Sequence, residues 1–330
     1  MKKYIQLIVF LLIGLGLIWW FIEKLTPKEI EELINSFSNA NYFWFIVAIL
    51  LNIFSSLIRA IRWKQLLEPM RYKPKLISTF FAVQSGYLAN LALPRLGEVI
   101  KCGLMRKKQN IPIEKSIGTI ITERAVDLIC FLLILIIALS LEFSYIKDYI
   151  YDNYNNIFDF EKIKILFIIG TIAIIVFFFL LFIFRERLKK IPFYNKVKEI
   201  IDGFLEGIKS IGKLKKPYLF IFNSLLIWFI WILGTFVIFL SITQTSTLSF
   251  KIAIIATVLG AVGPMIIPGG IGIYPVIISQ VLLLYNIEQP IGYASGWLLW
   301  TSSQIGILLL GLIGFIYFSK SRQNSLKKDS

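Results

Sequence analysis

The stretch Asn90-Leu-Ala-Leu-Pro-Arg-Leu-Gly-Glu-Val-Ile-Lys101 lies among segments apolar enough to live in a membrane, yet it holds a proline, a glycine and three charges. Charges at membrane depth are expensive and normally face a protein interior or a watery cavity. A Pro/Gly break there frees backbone groups, which is tolerated only where protein or trapped water satisfies them. The stretch therefore reads as a site, with Pro94 and Gly97 as the break and Arg95, Glu98 and Lys101 as its charges.

The surroundings fit a membrane. The 330 residues are 57% hydrophobic with 28 Phe, which places the chain among multi-span proteins and leaves no sizeable soluble domain. The net charge of +15 comes from loops between apolar spans, so it argues for membrane sidedness and against nucleic acid. Two cysteines in apolar segments imply no disulfide framework. The absence of histidine removes histidine metal ligands and histidine triads, and no metal or cofactor is expected.

Six segments are long enough to cross: 4–22, 41–58, 116–141, 163–184, 217–241 and 291–318. The first has a signal-like start but is too long and lacks a cleavage site, so it reads as an uncleaved span. Two further segments are interrupted, 76–105 at 94–97 and 252–285 at Pro268-Gly-Gly-Ile-Gly272. The arm 96–105 would be about 15 Å long as a helix, half a bilayer, so both read as re-entrant hairpins.

Loop charge supports this threading. Lys/Arg outnumber Asp/Glu six to one in 59–75, four to one in 106–115, ten to four in 185–216 and four to one in 319–330, whereas 23–40 has two against four and 142–162 two against five. Basic stretches belong on the cytoplasmic side, and both termini then fall there, in a cell membrane. The expected fold is an all-α polytopic membrane protein of six full transmembrane helices plus two re-entrant helical hairpins. They form inverted-topology repeats, 1–141 and 163–318, in a single membrane domain; such repeats place a site at the midplane. Residues 189–213 have apolar positions at helical spacing and read as a cytoplasmic amphipathic helix, lying on the membrane or packed under the bundle.

The candidate site gathers on the first hairpin and the next span. The arm after Pro94 presents a helix N-terminus, and with Arg95 its free N–H groups make an anion site. Arg95 suits phosphate, gripped through two parallel bonds, and Asn90 adds a neutral contact. Glu98 and Lys101 follow at three-residue steps. In the span, Glu123 and Asp127 are four apart on one helical face, and Arg124 is placed to pair with Asp127 and Glu98. These six charges sum to zero, so the cluster reads either as a lock pinning hairpin to span or as the lining of a ligand site. The second hairpin carries no charge; Gly269, Gly270 and Gly272 allow unusual backbone angles after Pro268. Residues 300–304, Trp-Thr-Ser-Ser-Gln, occupy the place that Glu123 to Asp127 hold in the first half.

Asn90-x-x-x-Pro94-Arg95-x-Gly97-Glu98-x-x-Lys101, Glu123-Arg124-x-x-Asp127 and Pro268-Gly269-Gly270-x-Gly272 resemble the lysylphosphatidylglycerol synthase transmembrane-region family, also called flippase-like. The resemblance covers nearly the whole chain. It implies a membrane part that moves a modified phospholipid between leaflets, sometimes beside a transferase, with Arg95, Glu98, Glu123, Arg124 and Asp127 as motif positions. The family's glycine motif is commonly followed by an acidic residue, where this chain has Tyr274-Pro275. The chain has no room for a synthase domain, so making lysylphosphatidylglycerol is not expected of it. The expected function is movement of an anionic phospholipid or isoprenoid-phosphate lipid between leaflets. The alternatives are a lipid-modifying transferase or an accessory partner of a glycosyl or aminoacyl transferase. A partner transferase and a homo-oligomer both stay open.

Overall fold

The computed structural model describes residues 2–93, 95–142 and 211–326, and every regular element among them is helical. The expected span 163–184 and nearly all of the expected amphipathic helix 189–213 lie outside the described residues.

The first helix, α1 (Lys2–Glu23), is apolar and ends at Glu23. Thr26 then starts α2 (Pro27–Ser38) with a capping box: its hydroxyl accepts from the Glu29 N–H, while its own N–H donates to the Glu29 carboxylate at 2.7 Å. The two helices meet at 117°. Acidic and short, α2 turns aside from the span and seats Ile30 and Leu33 on a small cluster with Phe21, Leu25 and Tyr293.

Asn41 caps α3 (Tyr42–Leu67) by accepting from the Phe43 N–H. This helix corrects the sequence expectation, which ended the span at 58 and counted 59–75 as basic loop. The helix runs on to Leu67, because Trp63, Leu66 and Leu67 are buried along one face. Arg59 and Arg62 share that side and are paired inside the protein rather than solvated in a loop. The basic bias survives in Lys64, Arg71, Lys73 and Lys75 against Glu68.

The first interrupted segment forms α4 (Leu76–Ala92) and α5 (Leu96–Gln109), packed on each other. At 14 residues, α5 is about 21 Å long, short of the roughly 30 Å of a hydrocarbon core. Its arms touch at glycines: a Cβ on Gly97 would overlap the Gly86 carbonyl. α6 (Ile113–Leu141) follows, with Leu128, Leu132 and Ile136 exposed on an outer face suited to lipid.

After the undescribed stretch come α7 (Pro217–Phe239), α8 (Phe250–Gly260), a helical turn at Gly263–Ile266, a 3-10 turn at Pro268–Gly270, α9 (Ile273–Leu283) and α10 (Gln289–Leu326). α8 and α9, of 11 residues each, are about 16 Å long and pack together across the glycine turn. α7 packs on α3, and α10 packs on α9, α4 and α3. Gly296 and Gly311 let α10 come close to Pro275 of α9 and Leu88 of α4.

The helices α3, extended by its 3-10 turn (Tyr42–Met70), α6, α7 and the Gln289–Ser319 part of α10 are long and apolar enough to cross a membrane, and α1 with α2 is a fifth, bent candidate.

Candidate functional site

Three helices supply the charges of a cleft that α4 also lines, through Val83, Gly86, Tyr87 and Asn90. α6 contributes Glu123, Arg124 and Asp127; α5 contributes Glu98 and Lys101; α3 contributes Arg59, with Arg62 behind it. Glu123 and Asp127 share one face of α6, as their four-residue spacing requires. Lys101 Nζ donates to Glu123 Oε2 at 2.6 Å, and Arg124 lies 2.7 Å from Glu98 Oε1. These two pairs tie α5 to α6.

Asp127 pairs elsewhere than expected. Arg62 Nη1 lies 2.7 Å from Asp127 Oδ1, and Arg59 Nη1 donates to Asp127 Oδ2 at 3.3 Å. Arg124 is therefore partnered with Glu98, while Asp127 pairs with the arginines of α3. The arginines bring a second correction. The expected six-charge balance leaves them out, and with them the cleft carries four cations, Arg59, Arg62, Lys101 and Arg124, against three carboxylates.

Arg62 is fully buried; its Nη1 donates to Ser224 Oγ at 3.2 Å, and its Nη2 stops 4.0 Å from Glu123 Oε1. Arg62 Nε, Arg62 Nη2 and Arg59 Nε have no hydrogen-bond acceptor among the described residues. Aromatic rings back the cations: Arg59 faces Trp231 at 4.9 Å and Tyr87 at 5.8 Å, and Lys101 faces Trp63 at 4.4 Å. Trp63 is itself fixed by donating to Thr119 Oγ1 at 2.8 Å. The cleft leaves about 20 Å³ of free space, room for about one water.

The remaining expected residues take distinct places. Asn90 Oδ1 accepts the Gly97 N–H at 2.8 Å and so occupies one free donor of the α5 N-terminus. Arg95 precedes α5 with φ at 64°, a left-handed conformation that non-glycine residues adopt at some cost in strain. Its side chain is exposed and makes no ion pair or hydrogen bond among the described residues, and it does not line the cleft. Pro94 lies outside the described residues.

The sequence profile of the lysylphosphatidylglycerol synthase transmembrane region matches residues 7–311. The chain belongs to that family. It is similar to a UPF0104 membrane protein of Methanocaldococcus jannaschii, 30% identical over 233 residues, covering 69% of this chain and 93% of the relative. It is also similar to a UPF0104 membrane protein of Pyrococcus horikoshii, 26% identical over 362 residues and covering 98% of both. No solved structure matches the chain significantly. Together with its long apolar helices, membership of the synthase transmembrane family makes it an integral membrane protein.

In this family member the glycine motif forms the tip of the second helix pair. Gly269, Gly270 and Gly272 all have positive φ. A Cβ on Gly272 would overlap the Gly14 carbonyl of α1. Trp300 Nε1 of α10 donates to the Gly269 carbonyl at 2.6 Å, which joins residues 300–304 to the tip. Gly269 also faces Leu91 of α4, so the two tips meet.

Arg59, Arg62, Gly86 and Tyr87 went unread in the sequence. Arg59, Arg62 and Trp63 stand at i, i+3 and i+4, a helical face continuing directly from an apolar span, and that spacing was the available signal.

Proposed function

We propose that the protein carries an anionic phospholipid or isoprenoid-phosphate lipid between leaflets, with the headgroup phosphate held in the α3–α5–α6 cleft. The observation that carries this reading is the surplus of cations in a largely buried cluster, with arginine N–H groups left unsatisfied. A guanidinium fork is the side chain best matched to phosphate.

The topology in this reading has six spans and two re-entrant hairpins, α4–α5 and α8–α9, in inverted repeats with both termini cytoplasmic. Its support is that α5, α8 and α9 are each too short to cross a membrane and that the two interrupted tips meet. Arg95, strained and exposed at one tip, would meet the phosphate on its way in. The cleft has room for only about one water, so this conformation would be the closed one, and α5 would have to part from α6 to admit a headgroup.

The test is reconstitution in liposomes containing fluorescent phosphatidylglycerol or polyisoprenyl phosphate, with a membrane-impermeant quencher outside. Exchange between leaflets should exceed that of protein-free liposomes and fall in Arg59→Gln. Rates equal to empty liposomes for both lipids would sink the proposal.

A further inference from the structure

We infer that the cleft selects a headgroup whose net charge is negative and refuses one that carries a compensating or excess ammonium, such as an aminoacylated headgroup. The inference rests on reading the cleft as a lipid site and narrows its ligand.

Every carboxylate there already has a cation. Glu98 has Arg124 at 2.7 Å, Glu123 has Lys101 at 2.6 Å, and Asp127 has Arg62 at 2.7 Å and Arg59 at 3.3 Å. None is left without a cation for an ammonium to neutralise. The aromatic faces are taken as well: Trp63 is turned to Lys101, and Tyr87 and Trp231 to Arg59. A cage for an incoming amine needs such faces unoccupied.

The unmet demand is mainly for acceptors: among the described residues three arginine N–H groups lack one, against a single carboxylate oxygen, Asp127 Oδ1, that is ion-paired but accepts no hydrogen bond. Arg59 Nε, Arg62 Nε and Arg62 Nη2 have none among the described residues, and the Arg62 side chain is wholly enclosed. Phosphate oxygens would supply acceptors and cancel the surplus positive charge in one step. An ammonium on the same headgroup would enter beside that surplus, in surroundings of low dielectric where like charges repel strongly.

The test uses the full-length protein in detergent, titrated with phosphatidic acid, phosphatidylglycerol, lysyl-phosphatidylglycerol and inorganic phosphate, with thermal unfolding as the readout. The two anionic lipids should bind about tenfold or more tightly than the lysylated lipid, the scale of an unfavourable charge juxtaposition. Asp127→Asn removes one negative charge and should widen that gap. Where that variant does not fold, Glu98→Gln, at the exposed edge of the cluster, should widen it as well. Equal or tighter binding of the lysylated lipid would overturn the selectivity and leave the lipid site standing. No shift with any lipid would overturn both readings. A shift with inorganic phosphate equal to that with lipid would replace the lipid with a free anion.

Discussion

Gly86 and Gly97 hold the two arms of the first hairpin in backbone contact, with no side chain between them. Gly97→Ala would drive a methyl into the Gly86 carbonyl and the Asn90 amide, an overpacking that costs about 1–3 kcal/mol. The melting temperature in detergent should drop, whereas Gly103→Ala on the same helix, with nothing within 4 Å of its Cβ, should hold or raise it. An unchanged melt in Gly97→Ala would mean the arms part easily.

Arg62 and Asp127 form an enclosed pair within the cluster, with side chains 0% and 14% exposed. Arg62→Met alone leaves Asp127 with Arg59 as its remaining cation and should destabilise by about 3–5 kcal/mol, whereas Arg62→Met with Asp127→Leu should recover only part of that loss, because it takes the carboxylate from Arg59. Thermal unfolding of the two single variants and the double variant measures the coupling. Additive losses would show that the pair is not a unit.

Glu98 and Arg124 behave differently because Arg124 is 54% exposed. An exposed pair contributes only about 0–1 kcal/mol and is screened by salt. Glu98→Gln should therefore barely move the melting temperature. If α5 parts from α6 to admit a headgroup, the same change should speed leaflet exchange in liposomes. A large loss of stability would mark the pair as structural.

Trp300 and Gly269 share a hydrogen bond from the α10 indole to the second tip. Trp300→Phe keeps the ring but leaves that carbonyl without its donor, at a cost of about 1–3 kcal/mol. Loss of stability together with faster proteolysis at residues 266–272 is the expected pattern.

Two carboxylates outside the spans should respond to acid in opposite senses. The Thr26 backbone and hydroxyl hold the Glu29 carboxyl below its ordinary value of 4.5, so this contribution is present at neutral pH and is lost as pH falls through the lowered value. Glu288 is pushed above 4.5 by a hydrogen bond and charge repulsion with Glu32, so that contact is present below 4.5 and is lost as pH rises through the raised value. Chemical shifts of α2 amides between pH 3 and pH 7 should show its first turn loosening at the acid end. Glu288→Gln should keep the α2 contact at neutral pH.

Much of this architecture was legible because the bilayer constrains sequence so strongly. Apolar length marked α3, α6, α7 and α10, and Pro/Gly breaks marked both interrupted pairs. Spacing placed Glu123 and Asp127 on one face and brought Glu98 and Lys101 to the same helix. What escaped was pairing between distant helices. Arg59 and Arg62 look like the positive flank that commonly follows a span, and only the approach of α6 shows that they are interior. The contact of Gly86 with Gly97 was equally hidden, because a glycine within a helical run carries no mark of what lies opposite it.

The meeting of Leu91 with Gly269 has a mechanical consequence. Among the described residues no hydrogen bond joins the two tips, so they can separate without breaking one. Trp300 anchors one tip to α10, and Asn90 braces the other against its own second arm. Each tip is thus stiff in itself and only leans on its neighbour. At a seam held by packing alone the tips can part while each keeps its own hydrogen bond, Trp300 to the Gly269 carbonyl and Gly97 to Asn90.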